Sequence, residues 1–206
     1  MPVSEVLYPV SLVVSGRLCV VVGGGAVAAR KVAGLVEAGA RVLVVAPDIC
    51  DQIRAMPVEL AERPYRRGDL DSAWLAIAAT DDPAINRRVH ADGQDARVWV
   101  NAADDPEACA FTLPAIVRRG PVSVAVSTGG HSPALAGWLR DRIAGQVGPE
   151  VGSLARMLSE ARTGIQAAGR STEGLDWRKV LDSDMLDLIR KGQLARARER
   201  LQACLS

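Results

Sequence analysis

The chain has 206 residues, 49% of them hydrophobic and only 3% aromatic, and a formal net charge of +1. That length supports one good core and a smaller appendage, and the near-neutral balance gives no electrostatic footprint for nucleic acid or a membrane surface. Cys19, Cys50, Cys109 and Cys204 form no Cys-x-x-Cys pair, no basic leader opens the chain and no apolar run spans a bilayer. A protein of the cytoplasm, with no disulfide framework, zinc site, signal peptide or membrane segment, is therefore expected.

Tyr8 to Val14 is apolar, and Ser15-Gly16 turns the chain into its first strand. The β-branched run Leu18 to Val22 ends in Gly23-Gly24-Gly25, and a helical pattern starts at Ala26. Strand, tight turn and helix make the Gly-x-Gly-x-x-Ala form of the dinucleotide fingerprint. Gly23 takes the backbone angles of the turn. Gly25 lets a pyrophosphate approach the main chain, and Ala28 lets the helix pack closely on the strand. The N–H groups and positive dipole end at the helix start favour a phosphate. A plain turn is the alternative, and a second strand in the right place argues against it. The helix should turn Val27, Val32, Leu35 and Val36 to the sheet, and Arg30, Lys31 and Glu37 to water. Gly39 suits the position just past its end. Arg41 to Ala46 completes a βαβ unit, and parallel strands joined this way imply an α/β sheet covered on both faces.

After the second strand the fingerprint usually has an acid for the ribose hydroxyls. Here the chain reads Ala46-Pro47-Asp48. Asp48 lies slightly past the usual place and is either that acid or a turn residue after proline. No arginine follows directly to take a 2′-phosphate, which inclines the reading to NAD. Val58 to Glu62 is a short alternating strand, Pro64 to Asp71 a polar loop, and Trp74 to Ala79 a buried strand. Asp82 caps the next helix, with Pro83 at its first position. Thr80 and Asp81 leave the sheet on its carboxyl side, where such sheets bind ligands, and so are candidates to touch a cofactor. Val98 to Val100 is a further strand, followed by Asn101-Ala-Ala-Asp104-Asp105-Pro106. Two acids before a proline ordinarily cap a helix. On the same edge as the glycine loop, one of them can instead face a nicotinamide.

From Ala110 the pattern changes. Arg118-Arg119-Gly120-Pro121 reads as a turn and Val122 to Val126 as a strand, a hairpin outside the parallel sheet. The loop Ser127-Thr128-Gly129-Gly130-His131-Ser132-Pro133 either holds an anion or simply caps the helix carrying Leu135, Leu139 and Ile143. His131 has no second ligand at metal spacing, and no metal site is expected. Beyond Gly148-Pro149 the chain reads as helices. Val151 to Leu158 marks one, Gly164 to Gly174 breaks the pattern, and Leu175 to Ile189 and Gln193 to Leu205 mark two more. Arg190, Lys191, Arg196, Arg198 and Arg200 form either a solvated basic face or a groove for an acidic small molecule.

Taken in order, Val20-Val-Val-Gly-Gly-Gly-Ala-Val-Ala-Ala-Arg-Lys31, Ala76-Ile-Ala-Ala-Thr-Asp81, Asn101-Ala-Ala-Asp104, Phe111 with Pro114, and Ser127-Thr-Gly-Gly-His-Ser-Pro133 cover nearly the whole chain. Their sequence and spacing resemble the precorrin-2 dehydrogenase and sirohydrochlorin ferrochelatase module of siroheme synthases. The resemblance implies a Rossmann-type NAD-binding domain over residues 1–113, a dimerisation segment over 114–150 and an all-helical domain over 151–206. It implies a homodimer that uses NAD to oxidise precorrin-2 to sirohydrochlorin, with ferrous or cobaltous ion as a further substrate in some members. NAD would sit at Gly23, Gly24, Gly25, Ala26, Val27 and Ala28 and at Pro47 and Asp48. The catalytic acid would be Asp104, with Asp105 beside it only capping or facing solvent. Ala102 and Ala103 stand where the family normally has larger apolar residues.

The implied substrate is a polycarboxylate. Arg118 and Arg119, with Arg140 and the tail arginines, and the loop residues Ser127, Thr128 and Gly129 are candidates to hold it. Thr128 matches a position that relatives can fill with a phosphorylated serine. No methyltransferase module is read within the chain, so precorrin-2 would come from a separate enzyme. Two other readings stand beside the dehydrogenase. One is a ferrochelatase or cobaltochelatase as main activity, and the other a non-catalytic NAD-sensing domain. The Asn101 to Asp104 loop and the helical domain argue against a bare sensor.

Overall fold

Short β-branched runs alternating with amphipathic segments build a five-stranded parallel sheet. In the computed structural model, which describes residues 7–103 and 105–205, the order is β1 (Leu18–Val22), α1 (Ala26–Glu37), β2 (Arg41–Ala46), α2 (Asp51–Arg54), β3 (Glu59–Glu62), β4 (Leu75–Ala78), α3 (Pro83–Ala96) and β5 (Trp99–Ala102). In space the strands run β3-β2-β1-β4-β5. All pairings are parallel, with Val22 opposite Val45 and Ala78, Ala46 opposite Glu62, and Ala78 opposite Ala102. The carboxyl ends therefore share one edge. The winding reverses between β1 and β4, the switch point where doubly wound sheets take ligands.

Strand alternation divides the core between the two faces. Cys19, Val21, Val42, Val44 and Ile77 pack with Ala28, Ala29 and Val32 of α1 and with Ile53. Val20, Val22, Val45, Ala76 and Ala78 pack with Val89 of α3 and with Val100. One expectation for α1 fails: Val27 is 39% exposed. The buried stripe centres on Ala28, Ala29 and Val32, with Leu35 and Val36 beside it, and Val27 lies about 100° round the helix from Ala28. The helix ends as expected. Gly39 has φ +76°, its N–H reaches the Val36 carbonyl at 2.9 Å, and the Ala40 N–H reaches that of Leu35 at 3.0 Å. This is a Schellman turn.

The expected loop at Pro64 to Asp71 contains a 3₁₀ turn at Arg67–Leu70, pinned by an Arg63–Asp69 ion pair at 2.6 Å and by buried Leu70. Trp74 is half exposed and precedes β4, where it stacks on the Arg17 guanidinium.

Further on, β6 (Ala115–Arg119) and β7 (Val122–Val126) form an antiparallel hairpin. Arg118 and Arg119 lie inside β6 rather than in the turn, because Arg119 pairs with Val122 and leaves only Gly120-Pro121 between the strands. Gly120, at φ +59°, supplies the positive angle that a two-residue hairpin loop needs. Four helix-rich stretches follow: α4 (Pro133–Gln146), α5 (Glu150–Ala167), then α6 (Trp177–Leu181) with α7 (Met185–Arg190), and α8 (Leu194–Leu205). Two expected boundaries move. The α5 helix runs through Gly164, and the segment expected as one helix over Leu175 to Ile189 is split. There the Ser183 hydroxyl donates to the Val180 carbonyl at 2.6 Å and draws the backbone out of the helical ladder. Leu154, Met157, Val180, Met185, Leu188 and Leu201 form the core of these helices.

Glu150, only 8% exposed at its side chain, accepts from Arg190 Nη2 at 2.6 Å. The chain divides into two compact units, Met1–Leu113 with Gly129–His131 and Pro114–Thr128 with Ser132–Ser206. No helix among the described residues is long and apolar enough to cross a membrane.

Candidate dinucleotide site

The three glycines at the end of β1 have different physical reasons. Gly23 has φ +128°, and a Cβ there would collide with the Ala79 carbonyl at the end of β4. A Cβ on Gly24 would collide with the Asp48 carbonyl, and the Gly24 carbonyl accepts from the Cys50 N–H at 2.9 Å. These two residues are small because the loops after β4 and β2 close in on them. Gly25 is different. Its φ is −86°, and a Cβ there would meet nothing within 4 Å.

Gly25 is the N-cap of α1, yet no side chain caps that helix and no acid stands in its first turn. By contrast, Asp82 accepts from the Ala84 N–H at the start of α3, and the Ser132 hydroxyl accepts from the Leu135 N–H at the start of α4. The open space at Gly25 and the uncapped first-turn N–H groups fit a pyrophosphate. Ala26 and Val27 are exposed there, and Ala28 is fully buried against the sheet.

Pro47 and Asp48 are exposed at the end of β2. Beside them lies a pair that sequence reasoning missed. Arg54 donates from Nη1 and Nη2 to both Glu62 oxygens at 2.6 and 2.8 Å, and from Nε to the Ile49 carbonyl at 3.0 Å. This two-point bond holds the Glu62 carboxyl below the usual range and pushes the guanidinium above its own. The parallel register of β2 with β3 sets Glu62 beside Ala46, and the Ile49 bond holds the Arg54 guanidinium toward it.

At the end of β4, Thr80 is clasped by the buried side chain of Asn86, while Asp81 is exposed. The loop after β5 is tied at both ends. The Ala103 N–H reaches the Ala78 carbonyl at 2.7 Å, the Asn101 amide donates to the Phe111 carbonyl at 2.8 Å, and the Cys109 thiol donates to the Ala102 carbonyl at 3.2 Å. Burial pushes that thiol up from its ordinary value. Asp104, the expected catalytic acid, lies outside the described residues. Its neighbour Asp105 accepts from the Ala108 N–H at 3.1 Å through its carbonyl. The glycine turn, Pro47-Asp48, Thr80-Asp81 and the start of the Asn101 loop thus share the carboxyl edge of the sheet.

The candidates for substrate carboxylates are placed elsewhere in the chain. Arg119 is committed locally: Nε donates to the Val147 carbonyl at 2.7 Å and Nη2 to that of Ala144 at 3.0 Å, where α4 ends. Arg118 is exposed on the outer side of β6, and Ser127 is exposed after β7. The Thr128 hydroxyl donates to the Ser132 carbonyl at 3.0 Å, and Gly129 has φ +60°. Arg140 pairs with Asp141, Arg190 with Glu150 and Asp187, and Arg200 with Asp184. Arg198 and Arg170 line a cavity of about 510 Å³ with Met157, Leu201 and Leu205. Among the described residues no group of three or more His, Cys, Asp or Glu is placed to hold a metal.

Sheet order, glycine turn and uncapped helix define a Rossmann-type protein of the dinucleotide-binding class. The family described as NAD(P)-binding matches residues 10–115, and that of the sirohaem biosynthesis protein central region matches residues 119–146. The chain belongs to this NAD(P)-binding family. Siroheme synthase of Thioalkalivibrio sulfidiphilus is 39% identical over 96% of this chain and 42% of its own length. That of Nitrosococcus oceani is 38% identical over 96% and 43%. The chain spans less than half the length of these curated relatives. A solved structure of SirC, precorrin-2 dehydrogenase, matches with a TM-score of 0.68 and 27% identity, covering 96% of this chain and 98% of that one.

Proposed function

We propose that the protein oxidises precorrin-2 to sirohydrochlorin with NAD as the hydride acceptor. The observation that carries this reading is the uncapped amino end of α1 beside the open position at Gly25. It lies on the sheet edge that also starts the Asn101 loop. The similarity to SirC and to siroheme synthases supplies the substrate.

The first-turn N–H groups of Ala26, Val27 and Ala28 would hold the pyrophosphate, with Pro47-Asp48 beside the ribose and Thr80-Asp81 along the inner wall. The dinucleotide, when bound, accepts a hydride at its nicotinamide ring. Asp104 accepts the proton that the macrocycle releases as it aromatises, or steadies the positive charge that builds up there. Arg118 and the loop Ser127-Thr128-Gly129 meet substrate carboxylates, while Arg119 orders the hairpin against α4. NAD is favoured over NADP because the end of β2 carries exposed Asp48 and an arginine already bound to a glutamate.

The protein works as a homodimer joined through residues 114–150, between the Rossmann domain of residues 1–113 and the helical domain of 151–206. Leu135 and Trp138 of α4 are 48% and 53% exposed, and Ile116 on the outer side of the hairpin is also uncovered. Such apolar surface is commonly closed by a two-fold copy.

The test is anaerobic incubation with precorrin-2 and NAD, following NADH absorbance and the sirohydrochlorin spectrum. Turnover in the wild type and a fall of about a hundred- to ten-thousand-fold in Asp104→Asn, with NAD affinity kept, are expected. NAD binding without turnover would leave a binding protein and overturn the proposed activity.

A further inference from the structure

We propose that Glu62 sets the choice between the two nicotinamide dinucleotides by keeping Arg54 from a ribose 2′-phosphate. The proposal rests on the dinucleotide reading above. A Rossmann site reads the ribose at the end of β2. In this chain that end is Ala46, which has no polar side chain, and its register partner across the sheet is Glu62. The acid at this level of the edge is therefore supplied by the next strand.

Arg54 stands in the same patch. Its Nε bonds to the Ile49 carbonyl, three residues past Ala46, and the adjacent Cys50 N–H bonds to the Gly24 carbonyl in the glycine turn. The guanidinium is thus tied through one loop to both the β2 end and the phosphate turn. Nη1 and Nη2 each give one N–H to Glu62, at 2.6 and 2.8 Å, so the terminal fork faces that carboxylate. A guanidinium grips a phosphate through the same planar fork that it offers a carboxylate. Glu62 and a 2′-phosphate therefore compete for one cation.

The competition is real because the pair is reachable by solvent, with side chains 40% and 49% exposed. The other carboxylate acting on Arg54 is that of Asp51, on its own helix. With Glu62 in place, a 2′-phosphate meets acids and a neutralised arginine. With Glu62 uncharged, it meets a free fork.

Affinities of the full chain for NAD and NADP, measured by calorimetry at low salt, test this. Glu62→Gln should raise the affinity for NADP relative to NAD by about tenfold, the worth of one charge-assisted contact. Adding Arg54→Ala should cancel that gain. Arg41→Ala breaks the Arg41–Glu59 pair at the far end of the same two strands and should leave the ratio where it was. A ratio unmoved in Glu62→Gln, a gain that survives in the double variant, or an equal gain in Arg41→Ala would each overturn the proposal while leaving NAD binding intact. A wild type that binds neither dinucleotide overturns the dinucleotide reading, and this proposal with it.

Discussion

The carboxamide of Asn86 grips the main chain of Thr80 from both sides. Its Nδ2 donates to the Thr80 carbonyl at 2.9 Å, and its Oδ1 accepts from the Thr80 N–H at 3.2 Å and from the Thr80 hydroxyl at 2.9 Å. Asn86 is 5% exposed and belongs to α3, so the loop leaving β4 is locked to the helix that follows it. The carbonyl of Ala79, the residue before Thr80, is the atom that leaves no room for a side chain at Gly23.

Asn86→Ala should therefore cost both stability and cofactor. Leaving the polar groups of Thr80 without partners costs about 1–3 kcal/mol, readable by urea unfolding. Dinucleotide affinity should fall with it, since the wall beside the glycine turn loses its anchor. Asn86→Asp keeps the acceptor and loses the donor, and should fall between the two.

The second and third glycines should separate in the same two measurements. Gly24→Ala drives a Cβ into the Asp48 carbonyl and should destabilise the protein by about 2–4 kcal/mol. Gly25→Ala meets nothing within 4 Å in the protein and should change stability by less than about 1 kcal/mol. Its added methyl nonetheless occupies the space read as the pyrophosphate seat, so NAD affinity should drop by about tenfold or more. Unchanged affinity in Gly25→Ala would remove the phosphate from that position.

Acid should loosen the helical unit through Glu150. The Arg190 hydrogen bond, followed by a backbone hydrogen bond, holds its carboxyl below the ordinary value of 4.5. A carboxyl lowered in the folded state stabilises fully above its unfolded value, and that contribution is lost as pH falls through the folded one. Melting temperature against pH should thus decline below about pH 4.5 in the wild type. Glu150→Gln should start lower at neutral pH and decline less steeply on acidification.

The proposed dimer predicts a two-chain mass in sedimentation at micromolar concentration for the wild type and a monomer for Leu135→Asp or Trp138→Asp on α4. Neither side chain is buried within the chain, so each unit should keep its melting transition. A dimer that persists in both variants would move the interface elsewhere.

Local chemistry made most of the Rossmann half legible. The run Arg41 to Ala46, the cap at Asp82 and the positive-φ turn at Gly39 each have a cause within a few residues, and each stands as expected. The misreadings came from causes that are not local. Arg119 looked like a turn residue until strand register placed it beside Val122. Val27 looked inward because it is apolar, but the helix phase is set by which alanines meet the sheet. Gly24 carried no reason of its own until the loop after β2 folded onto it. Arg54 and Glu62 are eight residues apart with no motif between them, and they meet only once β3 pairs with β2 and α2 folds back on the loop at Ile49.

The charges along β3 have a second consequence. A strand at the border of a sheet offers unpaired backbone groups, an invitation to edge-to-edge aggregation. Here that border is four residues long, and Arg41–Glu59 and Arg54–Glu62 pairs stand at either end of it. At the opposite border the chain covers itself, as Cys109 bridges to Asn101 and the Ala110 N–H closes on the Val100 carbonyl. One side of the sheet is kept solitary by charge and the other by its own returning backbone. Losing the Glu62 charge should then make the protein more prone to self-association in concentrated solution.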